Sequence, residues 1–128
     1  MKKAFEIITN NPLVYDKLNK EYNIRYSEIS YEDILKEVRN RVYEGYQLLT
    51  HPLSGSVKPN ETPYKSVMVS TTKGTLDLQS VEIIENAIHA VGKFEFKSDR
   101  YQPEVYDDFQ VIDLTLIESA LPSATAQL

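Results

Sequence analysis

The stretch His51-Pro52-Leu53-Ser54-Gly55-Ser56-Val57-Lys58-Pro59-Asn60-Glu61-Thr62-Pro63-Tyr64 gathers an imidazole, several hydroxyls, an amide and a cation in one polar loop. Its prolines stiffen the backbone, and Gly55 lets a ligand approach the main chain closely. Such a loop suits an anion or small metabolite. Ser54, Gly55 and Ser56 would supply backbone and hydroxyl donors, Lys58 a point charge, and Asn60 and Tyr64 further polar contacts. The alternative is an Ω-type excursion whose polar groups satisfy one another. Loops of this length without regular structure are functional more often than not. A second polar segment, Thr9-Asn10-Asn11, follows an apolar run and precedes Pro12. It would put free backbone N–H groups at a helix N-terminus, where anions are attracted.

Other constellations are weaker. His51 with Ser54 or Ser56 could be a base and nucleophile, but no third member is identifiable, and Leu53-Ser54-Gly55-Ser56 lacks the first glycine of a nucleophile elbow. A histidine that orients the loop is the simpler reading. With glycines only at 45, 55, 74 and 92, neither a dinucleotide fingerprint nor a Walker loop can be written. Glu82, Glu85, Asn86 and His89 would lie along one side of a helix, with Glu85 and His89 at i,i+4. Solvated flank charge explains that spacing as well as a metal would, and nothing nearby completes a ligand set. No metal and no cofactor is expected.

Composition sharpens the exclusions. There is no cysteine, which removes disulfides, thiolate catalysis and iron–sulfur ligation. A net charge of −5 argues against nucleic acid or an anionic membrane as principal partner. Met1-Lys2-Lys3 and the short apolar run after them are interrupted by Glu6 and followed by Asn10-Asn11-Pro12, so the segment reads as a first strand and not a signal peptide. The expectation is a cytoplasmic, soluble chain of 128 residues in one domain over 1–121, with 122–128 a frayed tail. Nine tyrosines against four phenylalanines suit amphipathic packing or a partner surface, and a homodimer is compatible with them.

Elements that would position these groups follow from periodicity. Ala4–Thr9 is a short apolar strand, and Asn11 and Pro12 open a helix to about Lys20. Ile24–Ile29 alternates as a second strand. Tyr31–Tyr46 is the clearest helix: Ser30 and Asp33 resemble a capping box, Tyr31, Ile34, Leu35, Val38 and Val42 share one face, and Gly45 supplies a stop. Glu32–Lys36 and Glu37–Arg41 are spaced for pairing along it. Gln47–Thr50 and Ser66–Ser70 read as a third and fourth strand. A helix from about Asp77 to Phe94 buries Val81, Ile84, Ile88 and Val91, Lys97–Asp108 is a surface excursion, Phe109–Ile112 a last strand, and Asp113 caps a short helix to Leu121. The sum is an α/β layered, Rossmann-like sheet of about five mostly parallel strands with flanking helices. In open sheets of that kind ligands bind beyond the carboxyl ends of strands, where Thr9-Asn10-Asn11 and the loop would share one edge.

Ile7-Ile8-Thr9-Asn10-Asn11-Pro12-Leu13-Val14 and the long block from Leu49 to Ser66 resemble the GrdX family, as do Ile83-Ile84-Glu85-Asn86 and the segment Ile112 to Leu121. The likeness spans most of the chain, with little contribution from Lys97 to Asp108. It implies a small protein encoded beside the glycine, sarcosine and betaine reductase systems of amino-acid-fermenting anaerobes, in an accessory role without redox chemistry of its own. The family supplies no catalytic residues to carry over. The expectation is an accessory or regulatory protein that binds a glycine reductase component or a small anionic metabolite through residues 51–64. The alternative is a small enzyme acting on an amino-acid-derived or phosphorylated intermediate, with His51 and Lys58 in its site.

Overall fold

The computed structural model describes residues 4–53, 62–93 and 101–127. In chain order these form β1 (Phe5–Thr9), α1 (Pro12–Leu18), β2 (Asn23–Tyr26), α2 (Tyr31–Tyr43), β3 (Ser66–Ser70), α3 (Leu78–Val91) and α4 (Pro103–Thr125). The sheet has the order β2-β1-β3, parallel between β1 and β2 and antiparallel between β1 and β3.

The alternation of β1 decides the layers. Phe5 and Ile7 face one side and Ile8 the other, the period of two that a strand imposes. On the Phe5 side, Met68 of β3 packs with Val14 and Leu18 of α1 and Ile117 and Ala124 of α4. On the Ile8 side, Val67 and Val69 pack with Ile34, Leu35, Val38 and Val42 of α2 and Ile84, Ala87 and Val91 of α3. Helices thus cover both faces of a small central sheet.

The architecture is α/β, but it is not five mostly parallel strands. Gln47–Thr50 meets the edge of β3 through one bridge, Leu48 to Val69, flanked by Leu49 N–H to Met68 O and Ser70 N–H to Gln47 O, both 2.9 Å. Its pairing stops there because the Thr50 hydroxyl, 3.0 Å away, accepts from Met68 N. Phe109–Ile112 is helical, part of the 23 residues of α4. Val111 and Ile112, the apolar pair that suggested a strand, are 54% and 41% exposed. The helix turns another stripe inward: Asp113, Ile117 and Ala124 are buried, and Leu114 and Leu121, partly buried, pack beside them, so that Leu114, Ile117, Leu121 and Ala124 recur at three and four. Asp113 is therefore a mid-helix residue and no cap. The true start is Pro103 at the first turn with Glu104 beside it, a combination favoured at helix N-termini. Where a frayed tail was expected after Pro122, the helix runs on to Thr125, and Gln127 Nε2 donates to Leu49 O at 3.0 Å. Of the expected excursion, residues 97–100 lie outside the described residues, as does the Phe94 end of the preceding helix.

Local signals elsewhere behave as their chemistry requires. Asn11 caps α1 by accepting from Leu13 N, and Ser30 caps α2 by accepting from Asp33 N. All five expected core residues of α2 are buried. The expected pairing of Arg41 with Glu37 gives way to Glu6 on β1, 3.4 Å away, where Arg25 also docks. Beyond Tyr43, Gly45 N–H donates to Val42 O and Tyr46 N–H to Arg41 O, a Schellman closure.

Gly45 has φ 106, and a Cβ there would collide with the Gly74 carbonyl oxygen. Gly45→Ala should therefore lower stability by about 2 kcal/mol through backbone strain and displacement of the turn at Gly74. Chemical denaturation checks this; an unchanged midpoint would show that the turn yields freely.

Candidate functional site

At the carboxyl end of β1, the residues Thr9, Asn10 and Asn11 are all buried. The antiparallel register places Thr9 opposite Ser66, so the last residue of β1 and the first of β3 meet at this edge. The end of the 51–64 loop is therefore brought to Asn10. The Asn10 amide holds it: Oδ1 accepts from Lys65 N at 2.8 Å, and Nδ2 donates to Pro63 O and Ile29 O, each at 2.8 Å. One side chain clamps the loop's return strand and the entry to α2.

Thr9 and Asn11 serve a second cluster. The Thr9 and Ser66 hydroxyls are 2.7 Å apart, and Thr9 Oγ1 accepts from Asn11 N–H at 2.9 Å. Asp113, reaching in from α4, accepts from Ser66 Oγ at 2.7 Å and from Asn11 Nδ2 at 3.0 Å. Asn11 Nδ2 also donates to Gln110 O at 3.0 Å. A carboxylate of the chain itself thus stands beside the start of α1, held by side-chain donors. Burial pushes the Asp113 carboxyl up; the hydrogen bonds from Asn11 and Ser66 and the charge of Lys65 oppose that shift.

Lys65, 6% exposed, is the other buried charge of this edge. Burial pulls its ammonium down from the usual lysine range, with Asp113 pulling the other way. Tyr31, in the first turn of α2, has its phenol pushed up by burial and then by the Asp113 charge. Tyr31, Lys65 and Asp113 line one cavity with Tyr64, Phe109 and Ile112. A shallower groove of about 340 Å³ runs alongside, between Asn10, Tyr26, Glu28 and Tyr64.

The remaining loop residues divide. Tyr64 is half-buried, and its hydroxyl accepts from Gln110 Nε2 at 3.0 Å. His51 is exposed, and its Nδ1 accepts from Leu53 N–H at 3.1 Å, which turns the chain into the loop. It lines a groove with Asp77, Ser80 and Gln127, whereas Asn10 lines the groove with Tyr26 and Glu28. Ser54, Gly55, Ser56, Lys58 and Asn60 lie outside the described residues. Glu85 pairs with Arg39 at 3.6 Å, and among the described residues no group of three or more acidic or histidine side chains could hold a metal ion. No helix among them is long and apolar enough to cross a membrane.

Sequence reasoning missed Asp113, Lys65, Gln110 and Tyr31 as members of this edge. A signal for Asp113 existed: read as one helix, 103–125 puts a carboxylate on the stripe carrying Leu114, Ile117 and Leu121. An acid on an apolar stripe asks for partners elsewhere.

A family model described as GrdX-like protein matches residues 6–122. Neither the curated proteins nor the solved structures contain a significant match.

Proposed function

The chain belongs to the GrdX-like family, associated with glycine reductase systems, and from that premise we propose that it is a non-catalytic accessory protein that docks on a reductase component through the 51–64 loop. The observation that carries this reading is the Asn10 clamp: two side-chain hydrogen bonds of 2.8 Å hold the loop's return at Pro63 and Lys65, and a third of the same length ties that clamp to Ile29 O ahead of α2. A loop held this way reaches its partner with less conformational freedom left to lose. The polar groups beside it, Thr9, Asn11, Ser66 and Asp113, bond to one another and are engaged as scaffold. A chain without cysteine fits a place outside the electron path. A small anionic metabolite bound by Lys58 and the loop hydroxyls is the second form of the same reading.

The test is capture from an anaerobe growing on glycine. The tagged chain should retain a reductase component, and Lys58→Glu or Tyr64→Ala should reduce recovery about tenfold without changing the circular dichroism spectrum. Absence of any reductase component, together with turnover of an amino-acid-derived substrate that His51→Ala abolishes, would replace the docking reading with the enzymatic one.

A further inference from the structure

β1 and β2 are parallel neighbours, yet the chain leaves their carboxyl ends in opposite directions. From β1 it passes to α1 on the Phe5 face, and from β2 to α2 on the Ile8 face. Adjacent parallel strands whose connections diverge in this way leave a crevice beyond their carboxyl ends, the usual ligand position of open α/β sheets. The groove of about 340 Å³ lies there. Tyr26 and Glu28 border it at the end of β2, Pro12 at the start of α1, and Pro63 and Tyr64 at the return of the loop. Asn10 ties the two sides together through Ile29 O and Pro63 O. Its volume falls in the range of small-molecule sites.

The chemistry of the walls narrows the occupant. Glu28 is the one charged side chain bordering the groove among the described residues, so an anion meets no counter-charge there. Burial raises the Tyr26 phenol, and Glu28, Tyr64 and Asp16 add to that shift, which marks this end of the groove as favouring positive charge. Hydrogen-bond acceptors are largely engaged: the Ile29 and Pro63 carbonyls accept from Asn10 Nδ2, and Asn10 Oδ1 accepts from Lys65 N–H. The Ser30 hydroxyl oxygen accepts from Asp33 N–H at 3.1 Å. A cation rich in N–H groups would leave most of them unmatched, whereas methyl groups suit tyrosine rings and prolines. The faces of such rings attract cations through their quadrupole. The Tyr26 ring is braced by that of Tyr15, their centroids 5.8 Å apart. We propose that this groove binds a small methylated ammonium, held against the Tyr26 and Tyr64 rings with Glu28 as its counter-charge. Tyr26 and Glu28 lie outside the 51–64 loop, so the site does not depend on the docking reading.

The experiment is a titration of the isotope-labelled full chain with tetramethylammonium chloride, followed by amide chemical shifts at constant ionic strength. Ammonium chloride tests charge without methyl groups, and tert-butanol tests a similar shape without charge. Tetramethylammonium should produce saturable shifts at Tyr26, Glu28 and Tyr64, with a dissociation constant at least about tenfold below that of either comparison. Glu28→Gln, at an exposed position, should weaken it about tenfold with the rest of the spectrum in place. Tyr26→Leu should do the same, whereas Tyr26→Phe keeps the ring and should stay within about threefold of wild type. Lack of saturation at tens of millimolar overturns the proposal. Equal binding of tert-butanol overturns it in favour of an apolar crevice, and equal binding of ammonium in favour of a bare carboxylate. Shifts confined to another region, or binding indifferent to both Glu28→Gln and Tyr26→Leu, overturn its location. The wild-type titration decides the matter even if Tyr26→Leu fails to fold.

Discussion

Asn10→Ala should lower the melting temperature by about 10 °C, corresponding to about 3 kcal/mol for a domain of this size. The deletion removes few apolar contacts. Its cost lies in the groups left behind: Lys65 N–H, Pro63 O and Ile29 O each lose a 2.8 Å partner in an interior where water replaces it poorly. The clamp joins segments 53 and 19 residues away in sequence, so its loss also returns freedom to the loop's anchor. Hydrogen exchange at Lys65 should accelerate more than exchange in α3, which the clamp does not touch. A melting point within about 2 °C of wild type, with unchanged exchange at Lys65, would mean that the loop is held by something other than Asn10.

The second large effect concerns Asp113. Asp113→Ala should cost about 2 to 3 kcal/mol near neutral pH, because the Ser66 hydroxyl and the Asn11 amide lose their shared acceptor inside the protein. Asp113→Asn keeps an acceptor oxygen and removes the charge, so it should cost much less. The pH dependence separates the two roles. Burial raises the carboxyl above its ordinary 3.8, so the folded chain holds that proton more tightly than the unfolded one. The stability this provides is complete below 3.8 and is lost as pH rises through the elevated folded value. Asp113→Asn removes that loss. Measured between about pH 3 and about pH 7, the variant should gain on wild type as pH rises. Parallel curves would show that the carboxylate pays no net desolvation cost, the hydrogen bonds and Lys65 having cancelled it.

Several elements were legible because their determinants are local. Asn11-Pro12, Ser30 with Asp33, and Gly45 act within one helical turn, and the apolar stripe of α2 has a period that only a helix can bury. The family likeness was also legible, carried by the block around 51–66 and matched over 6–122. That Thr9-Asn10-Asn11 and the loop would meet at one sheet edge followed from reading both as segments after strands. The return of the loop does meet Asn10, although β3 there runs antiparallel to β1.

What lay beyond the sequence were choices between distant partners. Arg41 could pair along its own helix with Glu37, but β1 offers Glu6 at 3.4 Å beside Arg25, and two cations sharing one partly buried carboxylate outweigh an exposed i,i+4 pair. Val111 and Ile112 suit a strand by residue type, yet the stripe containing Ile117 and Ala124 needed the whole of 103–125 as one helix to cover Phe5, Ile7 and Met68. Once α4 lies there, Asp113 arrives 102 residues downstream of Asn11 and takes a hydrogen bond from its side-chain amide. Local propensity decides which turns and helices form. Which buried donor finds which acceptor is decided by the packing of a face, and for Asn11 and Asp113 that face exists only when both ends of the chain are in place.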